Sequence, residues 1–266
     1  MNIYEYIAID ENEKPLDRIV TDGGMCAIFR TIACIGDSLS SGEFESLDEN
    51  GNVGYHDMFE FSWGQHIARS CGSEVYNFSA GGMTASFYNE CFAESRGYFN
   101  KDKAAQAYII AMGVNDVLNQ GQPIGTVEDI VIDDYNKNAN TFAGNYARLI
   151  QRYKEIQPDG KFFLVTMPLD NDTSKNAQKK EVRDLLEKMC EVFDNCYLVD
   201  LYTYSPVHDK EFKNKYYMSN HLNPMGYVLT ARMIESYIDY IIRHNPEDFK
   251  QVGFIGTPYC NVSVKK

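Results

Sequence analysis

The sequence predicts an α/β protein, a flavodoxin-like three-layer α/β/α sandwich built on a five-stranded parallel sheet. Two observations carry that expectation. Short apolar runs at residues 32–35, 74–78, 107–112, 161–167 and 196–201 alternate with segments of helical spacing. Near-continuous apolar strands are buried on both faces, as parallel strands covered by helices are. Most of the runs also end in punctuation, as at Gly36-Asp37-Ser38, Ser79-Ala-Gly-Gly82, Gly113-Val-Asn115 and Pro168. Such residues stop a strand and turn the chain.

Residues 1–30 carry little periodicity beyond a turn at Asp22-Gly23-Gly24, and are expected to pack as an N-terminal extension on a domain spanning 31–245. The first strand runs into Gly36-Asp37-Ser38. Residues 43–58 are acidic and rich in Gly and Asn, and read as a loop. Within them Asp48-x-Asn50-x-Asn52 resembles the start of a calcium loop. Val53 and Phe59 stand where such a loop needs Gly and Glu, so a polar turn is the reading. A helix is expected over 61–69, the second strand over 74–78, and the third over 107–112. Residues 135–155 place Tyr135, Phe142, Tyr146, Leu149 and Ile150 on one helical face. The fourth strand at 161–167, a charged helix over 175–193 and the fifth strand at 196–201 follow. Pro224 suits the first turn of a last helix reaching about residue 243. The tail, 246–266, shows no helical period.

Composition narrows the function. At 266 residues, with 44% apolar and 13% aromatic residues, the chain can build one sizeable core. A formal net charge of −13 disfavours nucleic acid or an anionic membrane as partner, since both call for clustered Lys and Arg. No run approaches the roughly 20 apolar residues of a membrane span. The opening Met-Asn-Ile-Tyr-Glu-Tyr lacks the basic and apolar regions of a signal peptide. Seven cysteines, at 26, 34, 71, 91, 190, 196 and 260, form no C-x-x-C pair. They read as reduced and structural, which suits a cytoplasmic setting. Neither glycine-rich nucleotide motif follows a strand, which argues against a nucleotide enzyme.

Four polar clusters remain, each at a strand end or helix start: Gly36-Asp-Ser38, Ser79-Ala-Gly-Gly82, Gly113-Val-Asn-Asp116 and Asn220-His-Leu-Asn-Pro224. In a parallel sheet the carboxyl ends of the strands share one edge, so the first three converge. A serine, close-approach glycines, an amide and an imidazole are the parts of acyl transfer. Singly each has a plainer reading: Ser38 and Asn115 as caps, Gly81-Gly82 as a turn, His221 as a surface residue. Together they favour catalysis.

These blocks resemble those of the SGNH (GDSL) hydrolase family, named for one Ser, Gly, Asn and His in separate blocks. Gly36-Asp37-Ser38-Leu39 matches the first letter for letter, and Asn77-Phe-Ser-Ala-Gly-Gly82, Gly113-Val-Asn115-Asp116 and His221-Leu-Asn-Pro224 follow in family order. The resemblance implies Ser38 as nucleophile and His221 as general base. It also implies an oxyanion hole from the N–H groups of Ser38 and Gly82 with the Asn115 side chain, Gly81 being the competing donor. Asp37 is expected to bind backbone around the turn. The implied activity is a cofactor-independent serine esterase cleaving small O-acyl esters, acetylated carbohydrates first, through an acyl-enzyme. Lysophospholipids and thioesters are alternative substrates, and a non-catalytic binding protein is the contrasting class.

One departure stands out. The family usually has Asp three residues before its histidine; here that position is Met218. The candidates to orient His221 are a backbone carbonyl near Met218 or Ser219, the Asn220 side chain, or an acid from another loop. The carbonyl is favoured, because it fixes the tautomer without burying a charge. His56, His66, His208 and His244 lack ligand spacing, and no metal is assigned. Trp63, Phe87, Tyr88 and Tyr98 line either the substrate pocket or the core.

Overall fold

The computed structural model describes residues 3–7, 9–10, 12–171 and 173–261. Its main sheet holds β1 (Thr31–Gly36), β4 (Glu74–Ser79), β5 (Ala107–Ala111), β6 (Lys161–Val165) and β7 (Cys196–Val199). All neighbours are parallel, in the order β4-β1-β5-β6-β7. Between β1 and β4 lies an antiparallel hairpin of β2 (Glu43–Leu47) and β3 (Val53–Asp57). A two-residue ladder of β8 (Tyr217–Met218) and β9 (His221–Leu222) precedes the last helix.

Each parallel strand splits its side chains between two cores, as a period of two demands. Ala33, Ile35, Tyr108, Ile110, Phe162 and Leu164 face α2 (Phe142–Ile156) and α3 (Thr173–Val192). Ile32, Cys34, Ala107, Ile109, Phe163 and Val165 face α1 (Trp63–Cys71) and α4 (Pro224–His244). That is the three-layer sandwich the apolar runs predicted. Removing a side chain the size of Phe162 from water contributes about 1.5–3 kcal/mol, so the central strands anchor the fold.

Boundaries moved where caps overruled periodicity. Ser62 accepts from the Gln65 N–H, so α1 starts at Trp63 rather than 61. Thr141 caps α2 through the Gly144 N–H, and Tyr135–Lys137 is a separate single turn rather than the front of that helix. Asp200 ends the fifth strand early by capping the short helix Leu201–Tyr204. Pro224 opens α4 as expected, with Asn223 as its cap.

Larger differences lie at the hairpin and the ends. Residues 43–47 and 53–57 are strands of a hairpin rather than parts of a loop. Most of their side chains are exposed, which removes the apolar alternation that marks a strand. Asp48 accepts from the N–H groups of Asn50 and Asn52 and holds the turn between them. In the N-terminal segment, the Val20 N–H donates to Ser236 Oγ, the Met25 N–H to Asp239 Oδ1, and Arg243 to Glu13. Past α4, Phe249, Val252 and Ile255 enter the same core as α1 and α4. The seven cysteines are free thiols. No helix among the described residues is long and apolar enough to cross a membrane.

Candidate active site

The sheet's carboxyl edge gathers the four polar clusters. At the end of β1 the chain turns abruptly into a short helix, Ser38–Ser41, and Asp37 caps it by accepting from the Leu39 N–H at 3.1 Å. Gly36 makes that turn possible. A Cβ there would run into Ser40 Oγ and lie 2.6 Å from the Ala111 carbonyl oxygen. Ser38 is therefore carried at the first position of a helix, part-buried. After β4, Ala80 to Gly82 form a turn beside it. After β5, Val114–Asn119 form a wide helical turn carrying Asn115 and Asp116.

One cleft of about 750 Å³ is lined by Ser38, Gly82, Asn115 and His221, together with Glu43, Tyr55 and Asn220. No acceptor among the described residues meets the N–H of Ser38 or Gly82. The Asn115 amide is fixed: Nδ2 donates to the Met83 carbonyl at 3.1 Å, and Oδ1 accepts from Asn119 at 2.9 Å. Its second amide hydrogen stays available to the cleft. No hydrogen bond joins Ser38 to His221 among the described residues. Contacts of this kind commonly tighten only once substrate is bound.

His221 arrives on the β8–β9 ladder, whose turn holds Ser219 at φ 58°, a left-handed conformation unusual for a residue with a side chain. Its partner corrects the sequence expectation. Nδ1 lies 2.7 Å from Glu45 Oε1, not on a backbone carbonyl of the 218–219 turn or on the Asn220 side chain. The same Glu45 oxygen accepts from the Asn220 N–H at 3.1 Å. β2 packs against β9, which brings the hairpin's carboxylates to the ring. On the other nitrogen, Glu43 Oε1 lies 3.0 Å from Nε2. The other Glu43 oxygen rests against Gly81, where a Cβ would collide with it.

Sequence reasoning missed both glutamates. They are two residues apart on β2 and so share one face of the hairpin. The Asn50-Gly51 pair between apolar and aromatic residues was the available hairpin signal. Nothing local links position 45 to position 221.

The carboxylates differ in character. Burial pushes Asp37 up to about 7, opposed by the Leu39 N–H and reinforced by Asp116. Burial likewise lifts Asp116 to about 6, against its hydrogen bond from the Ala85 N–H. Burial raises Glu43, with His221 opposing and Asp57 and Glu45 adding. Burial pushes Glu45 the same way, but hydrogen bonds from His221, Ser219 and Asn220 outweigh it and hold Glu45 below the usual range.

The aromatic candidates separate. Trp63 lines a cavity of about 290 Å³ next to the cleft, with a mixed wall that includes Lys175, Lys179 and Lys213. Phe87 lies exposed at another depression. Tyr88 is fully buried and bonded to the Tyr153 hydroxyl, and Tyr98 stacks on Phe78, so both belong to the core. Among the described residues no cluster of three or more His, Cys, Asp or Glu side chains could hold a metal ion.

A doubly wound sheet with a serine, two open backbone donors, an amide and an imidazole at its carboxyl edge defines an acyl-transfer class of site. The GDSL-like Lipase/Acylhydrolase family model matches residues 34–229, and the chain belongs to that family. Solved structures agree on the fold. A Lactobacillus plantarum protein is 17% identical at a TM-score of 0.59, covering 80% of this chain and 97% of its own. A family two carbohydrate esterase from Clostridium thermocellum in complex with cellohexaose is 16% identical at a TM-score of 0.54. That match covers 82% of this chain and 65% of the other. A carbohydrate esterase family 2 enzyme from Corynascus is 17% identical at 0.53, covering 80% and 66%. No curated protein matches the sequence.

Proposed function

We propose that this acylhydrolase is a serine esterase that cleaves small O-acyl esters, acetylated carbohydrates foremost, through an acyl-enzyme. The observation that carries the reading is the meeting of Ser38, Gly82, Asn115 and His221 on one cleft, with the Ser38 and Gly82 N–H groups unpaired. In this mechanism Ser38 Oγ attacks the ester carbonyl while His221 Nε2 takes its proton. The oxyanion is received by the N–H groups of Ser38 and Gly82 and by the Asn115 amide. His221 returns the proton to the leaving alcohol. A water activated by the same nitrogen then releases the acid. No cofactor enters any step.

Supporting the substrate class, the cleft lining carries Asp37, Glu43 and Asp57 with asparagines and an exposed Tyr55, and no Lys or Arg. Such a surface offers hydroxyl acceptors to a neutral alcohol and repels a phosphorylated one. That disfavours the lysophospholipid and coenzyme-thioester alternatives. The free cysteines suit a reducing compartment.

Hydrolysis of p-nitrophenyl acetate and of acetylated oligosaccharides by wild type and Ser38→Ala tests the proposal. The expected loss is about 10³-fold or more. Equal rates in the two proteins would remove Ser38 as nucleophile and leave the binding-protein reading.

A further inference from the structure

We propose that Glu45, carried on the β2–β3 hairpin, is the positioning residue for His221, supplying from a separate element the carboxylate that Met218 does not. The inference rests on His221 being the base of the proposed reaction. A base that takes a proton on Nε2 must carry its own hydrogen on Nδ1, and an acceptor fixed at Nδ1 selects that tautomer. Glu45 Oε1 lies 2.7 Å from Nδ1. Its side chain is 10% exposed, so water competes little for the contact. The oxygen also accepts from the Asn220 N–H, which ties the turn before His221 to the hairpin as well as the ring.

The hairpin's register makes the choice between the two glutamates. Glu43 and Glu45 point the same way from β2, and the imidazole stands between them, one nitrogen toward each. Glu43 lies at Nε2, the nitrogen that must receive the serine proton. It stabilises the imidazolium once formed, and in the neutral ring it competes for the hydrogen; the shorter contact, 2.7 Å at Nδ1 against 3.0 Å at Nε2, favours the tautomer that Glu45 holds. Glu45 alone meets the nitrogen that keeps its hydrogen. Tyr55, paired across from Glu45, sets its ring edge-on to His221 with centroids 6.3 Å apart and closes the remaining side.

Met218 pairs directly with His221 across the β8–β9 ladder. Directly opposed residues project from the same face with Cβ atoms about 4.5–5.5 Å apart. An aspartate at that position could therefore reach Nδ1 once Glu45 is gone, which allows a rescue that a merely structural role would not permit.

The experiment compares wild type, Glu45→Ala, and Glu45→Ala combined with Met218→Asp, using p-nitrophenyl acetate. Circular dichroism checks the fold, and the low-field proton resonance of the His221 Nδ1–H reports the contact. For Glu45→Ala, kcat should fall about 10²–10⁴-fold with KM within about threefold, and the resonance should vanish. Adding Met218→Asp should recover at least tenfold of the lost kcat and restore the resonance. The proposal is overturned if Glu45→Ala keeps kcat within about threefold of wild type, if the resonance survives, or if Met218→Asp recovers nothing. Should wild type show no Ser38-dependent turnover, the esterase reading fails instead, while the resonance still decides what Glu45 does to the imidazole.

Discussion

Asp37 does two jobs that pull its carboxyl in opposite directions. As a cap it accepts from the Leu39 N–H, which favours the ionised form. As a group 3% exposed between β1 and the Ser38 helix, it is denied the water an anion needs, and burial wins, with the carboxyl pushed up to about 7. An unfolded aspartate ionises near about 4. Between those values the native protein keeps a proton that the unfolded chain has released, so stability falls as pH rises through that window. Asp37→Asn keeps an acceptor for the Leu39 N–H and has no proton to lose. Urea unfolding at pH 4 and pH 8 should show the variant gaining on wild type at the higher pH, by up to about 4 kcal/mol. An identical difference at both pH values would mean that Asp37 titrates normally. Ser38 and Asp37 could be singled out from the sequence because a glycine, an acid and a serine ending an apolar run form a local pattern. Glu45 could not, since its partner lies 176 residues away.

At the scale of elements, the turn from β1 into the Ser38 helix depends on one missing side chain. A Cβ at Gly36 meets the Ala111 carbonyl of the neighbouring strand, which cannot give way without breaking the β1–β5 pairing. Gly36→Ala is therefore expected to destabilise the fold by about 3 kcal/mol or more, read as a lower urea midpoint at unchanged slope. An unaltered midpoint would show that the strand end is free to shift. The same scale explains which elements could be read from sequence. Strands β1, β4, β5, β6 and β7 are apolar enough to stand out against their neighbours. The hairpin is not: its strands expose Glu45's neighbours Ser46 and Leu47, and Val53, Tyr55, His56 and Asp57, so its composition is that of a loop. The short β8–β9 ladder is two residues per strand, below any length that periodicity can resolve.

Across the whole molecule, acidic residues outnumber basic ones. The formal net charge is −13, and within it Glu43 and Asp57 line the cleft, with no lining Lys or Arg. Fields of one sign in a low-dielectric cleft act on encounter rates and are screened by salt, with a Debye length of about 30 Å at 0.01 M and about 8 Å at 0.15 M. Raising ionic strength across that range should increase kcat/KM severalfold for 4-acetoxybenzoate, an anionic ester, and leave phenyl acetate nearly unchanged. Parallel salt responses would place the acid outside the substrate's path. The fold class and the order of the four blocks could be read from the sequence alone, and so could the meeting of Ser38, Gly82, Asn115 and His221 on one cleft. Strand runs and turn residues act on near neighbours, and a parallel sheet brings strand ends together whatever lies between them. What only the tertiary structure decided was the surroundings of the imidazole. A carboxylate on a surface-exposed hairpin meets a ring on a distant ladder through packing alone, and packing leaves no local signature in the order of residues.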